Sequence, residues 1–186
     1  MPIAMAEPCR IRPVPAYIGL GANLDDPRGQ VERAAAELAA LPHSRLTACS
    51  PLYRTAPVGP QDQPDYVNAA ARLETRLAPL DLLAALQAIE RRHGRVRDGC
   101  RWGPRTLDLD ILLYGSLRLA QPGLHLPHVE MHRRAFVLVP LADIASADLL
   151  VPGHGVLGEL LGSVDLAGIE PLPPAAAGEA GRTALC

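Results

Sequence analysis

Asp108 and Asp110 stand two residues apart in the apolar run Thr106-Leu-Asp-Leu-Asp-Ile-Leu-Leu-Tyr114, directly after a segment dense in arginine. Side chains alternate along a strand, so both carboxylates share one face, their Cα atoms about 7 Å apart at about 3.3 Å of rise per residue. Leu107, Leu109, Ile111 and Leu113 are expected on the other face. Two anions that close inside a domain need a proton or a bridging cation, and oxygen-only ligands suit Mg²⁺ carrying substrate phosphates. An isolated Asp-x-Asp is more often a water-facing pair at a sheet edge. The arginines change that balance: Arg95, Arg97, Arg101 and Arg105 place four guanidinium groups within eleven residues of each other, immediately before the carboxylates. Such density calls for an anionic partner, and a metal-held polyphosphate gripped by guanidinium groups would be neutralised from both sides. Taken alone, the loop could equally be a solvated basic run.

Other groups gather around this core. Trp102, the single tryptophan, lies in the arginine loop, where a flat aromatic suits stacking on a planar ligand better than packing. Phe136, the single phenylalanine, falls in a later apolar segment and by itself reads as core. Gln87 and Glu90 lie one helical turn apart ahead of the arginine loop; they could bond a base or ribose, and from the residues alone read as surface decoration. His125, His128 and His132 have zinc-like spacing, but no cysteine or further carboxylate completes a set, which favours phosphate contact or simple exposure. Gly19-x-Gly21 lacks the third glycine and the β/α alternation of a dinucleotide fingerprint, so that fold is rejected.

The 186 residues fit one domain with a sizeable core. A net charge of −2 removes the general positive field of a nucleic-acid binder. All 18 basic residues are arginine, which rules out a P-loop lysine and leaves phosphate clamping to guanidinium forks. Cys9, Cys49, Cys100 and Cys186 are scattered, without CxxC spacing, and read as reduced thiols of a cytoplasmic protein. No apolar run approaches membrane-spanning length.

The elements that must position these groups follow from periodicity. An apolar strand over 14–20 runs into the Gly19-x-Gly21 turn, then Asp25-Asp26-Pro27 caps a helix extending to Leu41 with Val31, Ala34, Ala35 and Leu38 on its buried stripe. A second strand is expected over 44–53, an irregular functional loop over 55–65, and a third strand over 66–75. Pro79 opens a second helix with Leu82, Leu83, Leu86 and Ile89 inward and Gly94 at its C′ position, before the Asp-bearing strand over 106–114. The order β-α-β-β-α-β defines an α+β, ferredoxin-like fold: an antiparallel sheet with two helices on one face, followed by a hairpin over 117–127 and a helical extension over 131–144. Residues 1–13 read as a flexible N-terminal extension, 14–165 as the domain, and the Pro/Ala/Gly-rich 171–186 as a disordered tail.

Several separated blocks, among them Ala16-Tyr-Ile-Gly-Leu-Gly-Ala-Asn-Leu24, Tyr53-Arg-Thr55, Gly59-Pro-Gln-Asp-Gln-Pro-Asp-Tyr-Val-Asn-Ala-Ala70, Gly94-Arg-Val-Arg97 and Arg101 through Leu113, closely resemble the 6-hydroxymethyl-7,8-dihydropterin pyrophosphokinase family. The resemblance spans roughly residues 14–165 in the family's order. It implies a diphosphate transfer from ATP to a pterin alcohol in folate biosynthesis, with AMP released and attack in line on the β-phosphorus. It further implies that Asp108 and Asp110 hold two Mg²⁺ ions, and that Gln87, Glu90, Arg95, Arg97, Arg105, Ile111, His128 and Arg134 hold ATP. Thr55, Val58, Tyr66, Asn68, Trp102 and Phe136 would form the pterin pocket, the two aromatics sandwiching the ring. Arg95, Arg105 and Asp110 are the expected catalytic groups. ATP and the pterin are the implied partners of a monomer that engages neither nucleic acid nor membrane. Ala56 and Val58 depart from the Pro and Leu frequent in the family's pterin loop, and Val129 stands where an aromatic can occur.

From a different class, βαββαβ also suits an RNA-binding domain, but those carry stacking aromatics on central strands, and this chain has a single Phe and a loop Trp. A catalytically idle nucleotide-binding regulator is a further alternative, and the intact set of metal, arginine and stacking positions weighs against it.

Overall fold

The computed structural model describes residues 12–58, 62–95 and 103–174. In chain order the elements are β1 (Val14–Ala22), α1 (Pro27–Ala39), β2 (Ser44–Cys49), β3 (Tyr53–Thr55), β4 (Tyr66–Thr75), α2 (Pro79–Arg92) and β5 (Asp108–Tyr114). There follow the hairpin β6 (Leu119–Gln121) and β7 (Leu124–Leu126), a 3₁₀ turn over Met131–Arg133, α3 (Ala135–Ala142), the hairpin β8 (Leu150–Val151) and β9 (Gly155–Val156), α4 (Leu157–Gly162) and β10 (Ile169–Pro171). This is the expected βαββαβ core with its hairpin and helical extension.

The sheet runs β10-β3-β4-β1-β5, with β2 also bonded to β4, and every pairing is antiparallel. The expected strand over 44–53 is broken in two. β4 is ten residues long, and β2 pairs with its C-terminal half while β3 pairs with its N-terminal half. Between them Ser50, Pro51 and Leu52 face only Ala69 and Ala70, so the chain bulges. Pro51 has no N–H to offer a ladder, and Ser50 bridges the gap by donating its N–H to Ala70 C=O and accepting the Ala70 N–H on Oγ, both at 2.9 Å.

β1 is longer than its apolar run suggests: Gly19 and Gly21 lie inside the strand, not in a turn, and pair on both sides, with β5 as far as Gly21 and with β4 as far as Ala22. α1 begins where predicted, with Asp26 Oδ1 accepting the Gly29 N–H at 3.2 Å and Pro27 at the first helical position, and it ends at Ala39, short of Leu41. Ile169–Pro171 reaches past the expected domain end and pairs with β3 as an edge strand.

Two cores sandwich the sheet. Ala16, Ile18 and Leu20 of β1, Ala71 and Leu73 of β4, and Leu107, Leu109 and Ile111 pack against Val31, Leu38, Leu82, Leu86 and Ile89 of α1 and α2. On the opposite face, Tyr17, Leu112 and Leu113 meet Met131 and the Leu138 and Leu141 side chains of α3, with Val151 and Leu157. Leu113 therefore departs from the expected alternation. A bulge in β5 pairs Ile111 with Ile18 but Leu113 with Tyr17, leaving Leu112 as the extra residue, and both leucines turn to the second core. Among the described residues no helix is long and apolar enough to cross a membrane.

Leu86 is fully buried at the centre of the helix-side core. Leu86→Ala is expected to lower the free energy of unfolding by about 2–5 kcal/mol, measured by urea denaturation. A loss below about 1 kcal/mol would mean that α2 is not seated as described.

Candidate active site

On the α3 side, the second core covers only part of the sheet. The rest is open, because β1 carries Gly19 and Gly21 there, flanked in register by Asp110 and Asp108 on β5 and by Ala70 and Asn68 on β4. A methyl group at Gly21 would stand 3.1 Å from Asn68 Oδ1, and one at Gly19 would stand 3.2 Å from Leu112 Cδ2. The bare strand sinks the sheet surface into a cavity of about 380 Å³, within the range of small-molecule sites.

One wall is charged. Asp108 is held from both sides: Oδ1 accepts from Arg95, and Oδ2 accepts from Arg105 Nη1 at 2.6 Å. Arg95 also binds Glu90, a 2% exposed carboxylate whose Oε1 accepts the Leu109 N–H at 2.9 Å and so ties α2 to β5. Asp110 is different. Its described ion pair is a long one, 3.8 Å from Oδ2 to His128 Nε2. Burial at the cavity floor pushes its carboxyl up to about 7, with the charges of Asp108 and Glu90 acting the same way and Arg95 and Arg105 opposing them. The side chain is nonetheless 47% exposed into the cavity, so water tempers the burial effect, and it is the upward direction that the surrounding charges support.

His128 is turned to Asp110 by its backbone neighbours: its N–H donates to Leu112 C=O at 2.9 Å, and Nδ1 accepts the Glu130 N–H at 3.3 Å, which leaves the ring proton on Nε2. Burial and the nearby Arg134 hold this imidazole below its usual range, so it is neutral at physiological pH. The opposite wall is less charged. Asn68 Nδ2 donates to Thr55 Oγ1 at 2.8 Å, both residues buried, and Phe136 lies beneath the Arg134 guanidinium at 5.7 Å. Tyr66 donates its hydroxyl to Gly103 C=O at 3.1 Å, and burial raises its phenol above the ordinary value, so it stays neutral.

The expected site residues Thr55, Val58, Tyr66, Asn68, Phe136, Arg105, Asp108, Asp110, His128 and Arg134 all line this one cavity. Glu90 and Arg95 sit behind Asp108 rather than on the lining, and Glu90 is buried where surface decoration was expected, because the Leu109 amide and the Arg95 guanidinium both need its oxygens. Gln87 is half-buried on α2. Ile111 points its side chain into the helix-side core, on the far face of β5. Arg97 and Trp102 lie outside the described residues. Of the other histidines, His125 is exposed on β7, and His132 stacks on His154 at 3.9 Å between ring centres.

Sequence reasoning gave no role to Asn23. It is 1% exposed and ties three segments together: its amide donates to Gln63 Oε1 and Pro64 C=O, both at 3.1 Å, and its Oδ1 accepts the Arg105 N–H at 2.7 Å. Those partners lie 40 to 82 residues away, so no local pattern could have revealed it.

A ferredoxin-like sheet carrying paired carboxylates, converging arginines and a concave, half-apolar wall defines a phosphoryl-transfer class of site. Comparison with known proteins gives the family. The model of 7,8-dihydro-6-hydroxymethylpterin-pyrophosphokinase matches residues 17–146. A protein of Pseudomonas aeruginosa, 2-amino-4-hydroxy-6-hydroxymethyldihydropteridine pyrophosphokinase, is 57% identical over 159 residues, covering 86% of this chain and 97% of its own length. The protein of the same description from Haemophilus influenzae is 51% identical over 148 residues, covering 80% and 91%. The solved HPPK-DHPS of Plasmodium falciparum, wild type with pterin and p-hydroxybenzoate, shares the fold at a TM-score of 0.64 and 14% identity, over 83% of this chain and 44% of that one. The chain belongs to the 7,8-dihydro-6-hydroxymethylpterin-pyrophosphokinase family. Its members are ATP-dependent pyrophosphokinases that generally work with Mg²⁺.

The oxygen donors present fit such a cation: Asp108 and Asp110 share the cavity wall, and the repulsion that raises Asp110 is what a bound cation relieves. A carboxyl that holds its proton more tightly in the folded state than in the unfolded state costs stability as pH rises from its ordinary 3.8 towards about 7. Below 3.8 it is neutral in both states and costs nothing. Asp110→Asn is therefore expected to raise the melting temperature of the chelator-treated protein at pH 8, with the gain shrinking steadily on acidification. A gain that is equal at pH 4 and pH 8, or absent at both, would show that the carboxylate is not under this repulsion.

Proposed function

We propose that the enzyme transfers the terminal diphosphate of MgATP to the hydroxymethyl group of 6-hydroxymethyl-7,8-dihydropterin, releasing AMP, as a step of folate biosynthesis. The observation that carries this reading is the meeting, in one cavity, of the Asp108–Asp110 wall with the Thr55–Asn68–Phe136 wall. A planar heterocycle with a polar edge and a polyphosphate tail each find matching chemistry there, and the bare strand at Gly19 and Gly21 lets them approach each other over the sheet.

In the reaction proposed, the hydroxymethyl oxygen forms a bond to the β-phosphorus, the bond from that phosphorus to the α,β-bridging oxygen breaks, and AMP leaves with the bonding pair. Asp108 and Asp110 would hold two Mg²⁺ ions, which supply charge neutralisation to the phosphates. Arg105, and Arg95 from behind Asp108, add positive charge where negative charge accumulates in transfer. His128, a neutral donor through Nε2, and Arg134 take the nucleotide side, with Arg97, Gln87, Glu90 and Ile111 assigned there by resemblance. Asn68, fixed by Thr55, reads the polar edge of the pterin, and Phe136 stacks on its face, opposite Trp102 by resemblance. Tyr66 and Val58 close the pocket. The hydroxyl proton leaves to Asp110, the carboxylate open to the cavity, or to water. No strong base is needed, because positioning and electrostatics carry most of such a transfer.

The open face argues against the RNA-binding alternative, since its central positions are Gly19, Gly21, Ala70 and Asn68 and offer no aromatic platform. ATP as co-substrate and the scattered cysteines, without CxxC spacing, fit action in the cytoplasm, and a monomer is the state proposed.

Incubation with ATP, Mg²⁺ and 6-hydroxymethyl-7,8-dihydropterin is expected to yield AMP and the pterin diphosphate, followed by ion-exchange chromatography. ADP as product would sink the reading. Asp110→Ala is expected to lower kcat by at least about 100-fold with the fold retained by circular dichroism, as for loss of a group acting on the transferring charge. Turnover within about threefold of the parent would remove Asp110 from the mechanism.

A further inference from the structure

The last turn of α2 closes with two backbone bonds: the Arg95 N–H donates to Glu90 C=O and the Gly94 N–H donates to Arg91 C=O, both at 3.1 Å. Gly94 supplies the left-handed residue at φ 76°, and the pattern is a Schellman cap. Arg95 is the first residue beyond that glycine, and its guanidinium reaches back to Glu90 and across to Asp108. The cap fixes Arg95 relative to the end of α2. It does not fix the end of α2 relative to the rest of the domain.

His93, the cap residue itself, makes that second connection. Its side chain is 6% exposed, with Nδ1 2.5 Å from Gln30 Oε1 and Nε2 2.7 Å from Glu37 Oε1, both on α1. Glu37 also receives Arg92 Nε on its other oxygen at 2.8 Å. Burial opposes the charge of Glu37, but the hydrogen bonds from Arg92 and His93 prevail and hold its carboxyl below the ordinary range. Gln30 is buried as well. A buried polar cluster of this kind is tolerated only when its members are partnered, and both ring nitrogens of His93 are. None of these residues lines the cavity, and the reaction described above uses none of them.

We propose that His93 is a positioning residue for the transfer reaction: by locking the end of α2 to α1 through Gln30 and Glu37, it sets where Arg95 meets Asp108. The inference rests on the role given to Arg95 above. Glu90 ties this turn to β5 through the Leu109 amide, and His93 ties it to α1; with His93 lost the turn is held on one side only, its end frays, and Arg95 samples positions away from the carboxylate it must accompany. A displacement of that size far from the reacting atoms is enough to slow a transfer that depends on alignment.

Steady-state kinetics of the parent, His93→Leu, Arg95→Ala and the double variant test this. His93→Leu is expected to lower kcat about tenfold, the size of one lost hydrogen bond to a charged partner, with KM for the pterin unchanged. It is expected to make no further difference once Arg95 is alanine. Equal losses in both backgrounds, or a parent-like kcat in His93→Leu, would overturn the proposal. His93→Gln, which keeps a donor for Glu37, is expected to recover most of the rate. Amide hydrogen exchange supplies an arm independent of turnover: in His93→Leu the Gly94 and Arg95 amides are expected to exchange at least about tenfold faster, with the Leu86 amide unchanged. Parent-like exchange at Arg95 would overturn the proposal even if the parent lacked the activity assigned above, whereas an inactive parent with loosened Arg95 would overturn only that activity. Should His93→Leu fail to fold, Glu37→Gln, a half-buried change on α1, serves the same comparisons.

Discussion

Glu90, Asp108 and Asp110 converge at one corner of the sheet, and their mutual repulsion is the constraint to which the surrounding structure answers. Arg95 sits between Glu90 and Asp108, and Arg105 covers the other oxygen of Asp108. Asp110 is left facing the cavity with its carboxyl raised, a repulsion that a cation bound there would relieve. Such stored repulsion lowers the stability of the empty protein and is characteristic of sites arranged for a charged ligand rather than for the fold.

The second requirement is space beside that charge. β1 is an inner strand, paired on both edges, and a side chain at Gly19 or Gly21 would meet Leu112 or Asn68 and fill the floor. The same strand buries Ala16, Ile18 and Leu20 on its other face against the two helices. One stretch of chain thus divides its labour by parity: even positions hold the helix-side core, and of the odd positions Gly19 and Gly21 vacate the site while Tyr17 joins the second core. The bulge at Leu112 completes the division, since it returns Leu112 and Leu113 to the second core immediately beyond the carboxylates and ends the cavity there.

Much of this was legible beforehand, because it depends on short-range periodicity. The two helices, the β4 strand over its full length and the pairing of Asp108 with Asp110 on one face follow from alternation, 3.6-residue stripes and capping residues. What escaped were features whose partners are remote. The break at Pro51 reflects two short strands sharing one long neighbour. Glu90 looks like any surface glutamate until the Leu109 amide and Arg95 are brought to it.

The residue types of this chain determined its chemistry: carboxylates at i and i+2, guanidinium groups just before them, and a glycine pair in an apolar run leave few alternatives, since charge, donor count and side-chain size are properties of the residues themselves. Tertiary structure alone decided which of them share a surface. Asn23 meeting Gln63 and Arg105, His93 meeting Gln30 and Glu37, and Phe136 lining one cavity with Gly19 and Gly21 are juxtapositions across dozens of residues. They arise when the sheet pairs and two helices bury its face, and no local pattern encodes them.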